Sequence, residues 1–151
     1  MKYTLITLFA LFIVSCSSDD DPIVDYTESN QKEIETYIEN HDLNAQRSSS
    51  GLYYIINEIG TGSQPTATSN VTVAYKGYFT NGNVFDQSDA NGISFGLNQV
   101  IAGWTEGITY FKEGGSGMLL IPSHLAYGNF GRGSIPGGAV LIFDIELISV
   151  N

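Results

Sequence analysis

The residues of this chain that are best suited to chemistry are aromatic side chains at predicted strand ends and loop edges. Side chains of this kind line pockets that accept an apolar ring and offer few polar groups to fix its orientation. We therefore expect an apolar pocket to be the centre of any activity. The aromatic residues concerned are Tyr75, Phe85, Phe95, Trp104, Tyr127 and Phe143.

Hydrolytic, metal and phosphate chemistry find little support in the sequence. The two histidines, His41 and His124, lie far apart, and neither has the spacing of a metal ligand. No Gly-x-Ser-x-Gly nucleophile motif occurs, and no Gly-Lys-Ser/Thr follows the glycine cluster that ends at Gly117. We expect neither a metal nor a cofactor. The formal net charge of -10 disfavours nucleic acid as a partner.

Trp104 is the only tryptophan, and it lies in a short helical pattern within a β-rich region. Trp104, Ile108 and Phe111 fall at i, i+4 and i+7, on one apolar face. A sheet with an apolar concave face must be covered, and this helix is the candidate for that position. A lone tryptophan is most often plain core, so core and pocket are both open interpretations of Trp104.

Short strands are predicted on both sides of this helix. Residues 71–79 alternate, with Val71, Val73 and Tyr75 on one face, and Asn81-Gly82 is a strong hairpin signal. The pattern predicts an α+β fold in which an antiparallel sheet of about five strands wraps on one short helix. The other strand segments are residues 52–58, 84–86, 93–97, 118–121 and 140–150.

An N-terminal helical extension is predicted at residues 30–40, where Asn30 and Glu33 have the spacing of a capping box. Its apolar stripe is narrow, so the helix either docks on the domain or is marginal alone. Docking and dimerisation both stay open, and the oligomeric state is unknown. We assign residues 30–50 to helix and linker and residues 51–151 to the globular domain. The stripe consists of Ile34, Tyr37 and Ile38.

The N-terminus has the pattern of a targeting signal. An apolar run over residues 4–14 is too short to span a bilayer and ends just before Cys16, the only cysteine. This resembles a bacterial lipoprotein signal, in which the cysteine is lipidated and becomes the new N-terminus. The alternative is an ordinary secretory signal. We expect residues 1–15 to be a signal peptide, Cys16 to carry a lipid anchor to a membrane, and residues 16–29 to form an acidic tether.

Several motifs follow one another in the second half of the chain. They are Val73-Ala74-Tyr75-Lys76-Gly77, Val84-Phe85-Asp86, residues 100–107, Leu125-Ala126-Tyr127-Gly128, Ile135-Pro136 and residues 141–147. In this order and at this spacing they resemble the FKBP-type peptidyl-prolyl cis-trans isomerases. The resemblance covers residues 51–151, and it implies that the sheet is a half-barrel wrapped on the short helix.

The resemblance also implies a role for each pocket residue. Trp104 would form the floor that receives a proline ring, and Asp86 would be a polar wall near the twisting carbonyl. The N–H of Ile101 would bind a substrate carbonyl, and Tyr127 would donate a hydroxyl hydrogen bond. The apolar walls and rim would consist of Tyr75, Phe85, Phe143, Ile93, Val100 and Ile135.

The chain departs from the family pattern around the predicted pocket. No arginine follows Phe85-Asp86 within residues 87–92, where the family often has one to partner the aspartate. Gly137 replaces a second proline. Phe130 lies in a variant loop, where we expect it to add a hydrophobic contact for protein substrates.

The function implied by the resemblance is isomerisation of X–Pro bonds in proline-containing polypeptides, which would assist the folding of exported envelope proteins. The alternative is a proline-peptide-binding module or chaperone with little catalysis. With Cys16 lipidated, we expect the protein in the bacterial cell envelope, at the outer membrane on its periplasmic or surface face.

Overall fold

A seven-stranded antiparallel sheet carries the fold, and the computed structural model describes residues 23–151. Two helices accompany it, α1 (Thr27–Asn40) and α2 (Ala102–Gly107), and a 3-10 turn (Ile108–Tyr110) continues α2. The strands lie in the order β1-β2-β6-β7-β3-β4, and β5 also pairs with β3. They are β1 (Gln46–Arg47), β2 (Tyr53–Glu58), β3 (Asn70–Tyr78), β4 (Val84–Gln87), β5 (Ile93–Gly96), β6 (Gly115–Ile121) and β7 (Leu141–Val150).

The predicted architecture is confirmed: the sheet is antiparallel and open, and a short helix packs on it. The strand count is higher than about five because all six predicted segments form strands, β2 to β7, and a short strand, β1, is added. β4 pairs with the end of β3 at Lys76–Tyr78, whereas β5 pairs with its start at Asn70–Val73. β1 contributes only two residues, at the edge beside β2.

α2 covers the concave face of the sheet at very close range. Trp104, Ile108 and Phe111 are all buried, as their spacing predicts. The helix is short, so Ile108 lies in the 3-10 turn and Phe111 just after it. Two glycines make the approach possible, because a Cβ at Gly103 or Gly107 would lie 2.5 Å from Ile121 or 2.7 Å from Leu119. Small residues on the helix thus set how deeply Trp104 enters the core.

α1 docks on the opposite, convex face of the same chain. Ile34 is fully buried and packs in a second core cluster with residues of β2, β6 and β7. The apolar stripe of α1 therefore packs on its own domain, with Tyr37 and Ile38 partly buried beside Ile34. This packing also explains why β7 is buried on both faces where it begins. The partners of Ile34 in this cluster are Tyr53, Leu120, Val140 and Ile142.

The start of α1 differs from the prediction. The helix begins at Thr27, three residues before the predicted start at residue 30. Residues 27–29 therefore belong to α1, although the prediction assigned them to the tether of residues 16–29. The capping box is wrong as well: Asn30 is buried within the helix and contacts the domain, and Glu33 accepts a hydrogen bond from Thr80 at 2.6 Å. The side chain of Asp25 instead accepts the N–H of Thr27 at 2.9 Å.

The predicted signal peptide, Cys16 and residues 17–22 lie outside the described residues. From residue 23 onward, no helix combines the length and apolarity needed to cross a bilayer. His41 lies at the C-cap of α1, and its Nδ1 lies 2.8 Å from the carbonyl oxygen of Tyr37.

Ile34→Ala tests how firmly α1 is docked. The substitution removes a fully buried side chain from the second core cluster, so we expect the free energy of unfolding to fall by about 2–5 kcal/mol. Urea denaturation measures this. Ile59→Ala makes the same chemical change at a position that is 56% exposed and should cost much less. Equal stability of the two variants would contradict docking of α1.

Candidate functional site

A cavity of about 510 Å³ opens on the concave side of the sheet, beside the N-terminal end of α2. Strands β3, β4, β5 and β7, the entrance to α2 and the loop between β6 and β7 all contribute to its wall. The cavity gathers most of the residues that the sequence assigned to a site. Those that line it are Tyr75, Asp86, Ile93, Val100, Ile101, Trp104, Tyr127 and Phe143.

Trp104 forms the floor and is held by aromatic rings on three sides. Its ring centroid lies 5.0 Å from that of Tyr75 and 5.1 Å from that of Phe143, both nearly perpendicular. Phe95 lies 5.3 Å away at a tilt of 43°. Such edge contacts fix the plane of the indole. The indole N–H is buried and has no hydrogen-bond partner within the described chain.

The polar wall is a bonded pair from adjacent strands. Tyr75 on β3 donates its hydroxyl to the carboxylate of Asp86 on β4 at 2.7 Å. Burial, together with this hydrogen bond and the nearby charge of Asp86, raises the pKa of Tyr75 well above its ordinary value. The phenol therefore stays protonated and keeps donating throughout the neutral range. In the absence of the arginine that the family often carries, this hydroxyl is the direct partner of Asp86.

Besides the indole N–H of Trp104, two hydrogen-bond donors at the cavity have no partner inside the described part of the chain. The backbone N–H of Ile101, at the N-cap of α2, makes no bond to residues 23–151. The hydroxyl of Tyr127 likewise donates to none of those residues. Donors in these positions can donate hydrogen bonds to the backbone carbonyl oxygens of a bound chain.

Arg132 supplies a positive charge to the same cavity. Its guanidinium lies 5.8 Å from the ring centroid of Tyr127, within the range of a cation–π contact. Arg132 also bonds through its backbone to Ile135, at 2.8 and 3.0 Å, which closes the tip of the loop. The cavity thus holds one carboxylate and one guanidinium among apolar walls.

Two predicted site residues do not line the cavity. Phe85 falls at a bulge in β4, where Gly77 pairs with Asp86 and Tyr78 with Val84. The Phe85 ring packs against the core cluster that contains Trp104, and its centroid lies 5.5 Å from that of Phe143. Ile135 packs against the core and completes the loop turn with Arg132. Both residues support the pocket from outside.

The sequence analysis missed three residues that line the cavity, Gln99, Ala126 and Arg132. Gln99 and Ala126 adjoin predicted residues and carry no signal of their own. Arg132 lies in a glycine-rich loop, where no sequence pattern marks it as a pocket residue. Phe95, one of the aromatic residues expected in a pocket, also lines the cavity, and its i, i+2 spacing from Ile93 on β5 places both on one face.

Among residues 23–151, no group of three or more His, Cys, Asp or Glu side chains is placed to share a metal ion. What the arrangement offers is a shaped apolar cavity, two free donors and a fixed carboxylate. It can bind an extended chain segment with an apolar ring inserted over Trp104.

Comparison with known proteins gives one consistent result. The profile of the FKBP-type peptidyl-prolyl cis-trans isomerase family matches residues 61–148. The match begins after β2, which the structure nevertheless pairs with β6 in the same sheet.

Individual relatives agree with this match. The FKBP-type peptidyl-prolyl cis-trans isomerase FkpA of Aeromonas hydrophila is 44% identical over 128 residues, which are 80% of this chain and 47% of the relative. FkpA of Escherichia coli K12 is 46% identical over 105 residues, 68% of this chain and 39% of the relative. The chain therefore spans less than half the length of these relatives.

Solved structures show the same fold. The crystal structure of FkpA from Escherichia coli superposes with a TM-score of 0.74 at 39% identity, over 83% of this chain and 61% of that one. A peptidyl-prolyl cis-trans isomerase from Pseudomonas syringae pv. tomato gives a TM-score of 0.71 at 33% identity, over 86% of this chain and 99% of that one.

Tyr75→Phe tests the bonded pair in the polar wall. The ring stays packed on Trp104 while the bond to Asp86 is lost, so we expect stability to fall by about 1–2 kcal/mol. Urea unfolding followed by the fluorescence of Trp104 measures the change. Tyr127→Phe is the matched control, because it removes a hydroxyl that bonds to no described residue. If both variants lose the same stability, the Tyr75–Asp86 bond contributes nothing.

Proposed function

The chain belongs to the FKBP-type peptidyl-prolyl cis-trans isomerase family, and we propose that its pocket catalyses isomerisation of X–Pro bonds in exported polypeptides. The observation that carries the proposal is the aromatic floor at Trp104, flanked by the N–H of Ile101 and the hydroxyl of Tyr127, neither of which has a partner among residues 23–151. This site requires no bond-breaking group, because isomerisation breaks no covalent bond.

The physical problem is rotation about a partly double C–N bond. Resonance gives this rotation a barrier of roughly 18–20 kcal/mol, and an X–Pro bond isomerises unaided in about tens to hundreds of seconds. In the twisted state the nitrogen no longer shares charge with the carbonyl. An apolar cavity therefore suits the twisted imide better than the planar one, and preferential binding of that state lowers the barrier.

Each residue of the cavity has its own role in this isomerisation. The proline ring lies over Trp104, between Tyr75 and Phe143. Ile101 N–H and the Tyr127 hydroxyl bind backbone carbonyls of the flanking residues and hold the chain while the imide turns. Asp86 stands beside the turning carbonyl, with its carboxylate oriented by Tyr75 at 2.7 Å. These assignments follow the cavity lining and the family pattern.

We place the protein in the bacterial cell envelope, as a lipoprotein anchored through Cys16. Support comes from the sequence: a short apolar run precedes Cys16, and the acidic residues 19–21 follow it. Folding assistance to exported proteins is the role that suits this location. Phe130, 87% exposed in the loop between β6 and β7, gives a hydrophobic contact for an unfolded chain next to its proline.

A peptide assay tests catalysis. We expect the soluble chain from residue 17 onward to accelerate cis-to-trans relaxation of a short X–Pro peptide. Tyr127→Phe should slow the catalysed rate by about fivefold, the effect of one lost hydrogen bond. An uncatalysed rate with the folded protein at micromolar concentration, combined with retained peptide binding, would instead indicate a proline-peptide-binding module.

A fractionation experiment tests anchoring. Lipidation needs the thiol of Cys16, so Cys16→Ser should move the protein from the membrane fraction to the soluble fraction of the envelope. Labelling with a radioactive fatty acid should be lost in parallel. Ser17→Ala, beside the proposed site, is the control and should stay in the membrane. Unchanged membrane association of Cys16→Ser would refute the anchor.

A further inference from the structure

We propose that Asn30 of α1 is a positioning residue for the pocket: it ties together the two ends of the loop between β6 and β7. We call residues 123–138 the pocket loop. The expected effect on catalysis rests on the proposed function. The expected effect on the order of the loop does not depend on it. It makes the N-terminal helix part of the catalytic unit.

One side chain spans both ends of the pocket loop. The amide nitrogen of Asn30 donates to the carbonyl oxygen of Gly138 at 2.8 Å. The amide oxygen of Asn30 accepts the backbone N–H of Ser123 at 2.8 Å. Asn30 is only 2% exposed, so water cannot readily replace either bond. The first and last residues of the loop are therefore held by a helix that precedes them by about 100 residues.

Hydrogen bonds inside the pocket loop leave the N–H of Ser123 and the C=O of Gly138 available to Asn30. The N–H of Gly128 donates to the carbonyl of Ser123 at 2.8 Å, and the N–H of Gly138 donates to the carbonyl of Gly128 at 2.9 Å. These bonds use the C=O of Ser123 and the N–H of Gly138. The opposite groups, the N–H of Ser123 and the C=O of Gly138, point to Asn30. Without that side chain, two buried backbone groups would lose their partners.

A second contact from the start of α1 fixes the same loop end. Gly138 has φ of +75°, and a Cβ at this position would collide with the ring of Tyr26. The ring of Tyr26 therefore packs directly against the Gly138 backbone. On the exposed side, Nε2 of His124 lies 2.9 Å from the carbonyl oxygen of Ser50. The buried side of the loop base depends on α1.

The pocket loop carries three residues of the cavity wall, Ala126, Tyr127 and Arg132. Its tip is fixed internally, because Gly131 bonds back to Tyr127 at 3.2 Å and Arg132 pairs with Ile135. A displacement at the base consequently moves the tip and the Tyr127 hydroxyl together. Small displacements of a positioning group from its working geometry cost large factors in rate.

Asn30→Ala tests the proposal, with Ile34→Ala as the control. Both variants weaken α1, but only Asn30→Ala removes the tie to the pocket loop. We expect Asn30→Ala to lower kcat/KM for the X–Pro peptide by about tenfold, mainly through a higher KM. Amide exchange should accelerate within residues 123–138 and stay slow in β3. Ile34→Ala, assayed where it remains folded, should keep a KM near that of the unmodified chain.

Tyr26→Leu keeps the proposal testable if Asn30→Ala does not fold. It loosens the same loop end without leaving a buried hydrogen-bonding group unpaired, and it should raise KM and loop exchange in the same direction. The proposal is overturned if either folded variant leaves both the KM and the exchange of residues 123–138 unchanged, or if Ile34→Ala raises them equally. If the unmodified chain has no isomerase activity, the proposed function fails. Amide exchange within residues 123–138 still tests whether Asn30 holds the pocket loop.

Discussion

The close approach of α2 to the sheet is the constraint on which the rest of the structure depends. Gly103 and Gly107 carry no side chain, so the helix lies against Ile121 and Leu119 at a distance that no larger residue permits. At that depth Trp104 reaches the rings of Tyr75 and Phe143. Each such aromatic pair adds about 0.5–1.5 kcal/mol beyond burial itself. The packing that stabilises the core thus also builds the floor of the cavity.

The sheet is covered on both faces, and the two coverings differ in function. α2 lies on the concave side and supplies the floor. α1 lies on the convex side and seals Ile142 and Leu120, which would otherwise be exposed apolar residues. Because β6 and β7 are shared by both core clusters, the N-terminal helix stabilises the same strands that frame the cavity.

The family resemblance identifies most of the residues that line the cavity, because its short motifs each carry several of them. Trp104, Ile101 and Val100 share one short segment, and Tyr75 and Asp86 lie on either side of a hairpin marked by Asn81-Gly82. The bulge at Phe85 depends on the pairing of β3 with β4, which alternation alone does not show.

Asn30 illustrates the limit of that approach most clearly. Its spacing from Glu33 matches a capping box, yet its side chain serves two backbone groups far along the chain. A sequence pattern predicts hydrogen bonds between residues that are close in the chain, whereas tertiary structure determines the partners of a buried side-chain amide. The predicted start of α1 is wrong for the same reason. Asn30 does not cap the helix, because its side chain bonds to Ser123 and Gly138.

The position of α1 also has a mechanical consequence. From Tyr26 onward, the chain contacts the pocket loop before it contacts the sheet. Tyr26 packs on Gly138 and Asn30 bonds to Ser123 and Gly138, whereas Ile34, further along the helix, packs on β6 and β7. A force applied from the N-terminal side would therefore act on the base of the pocket loop before it acted on the sheet.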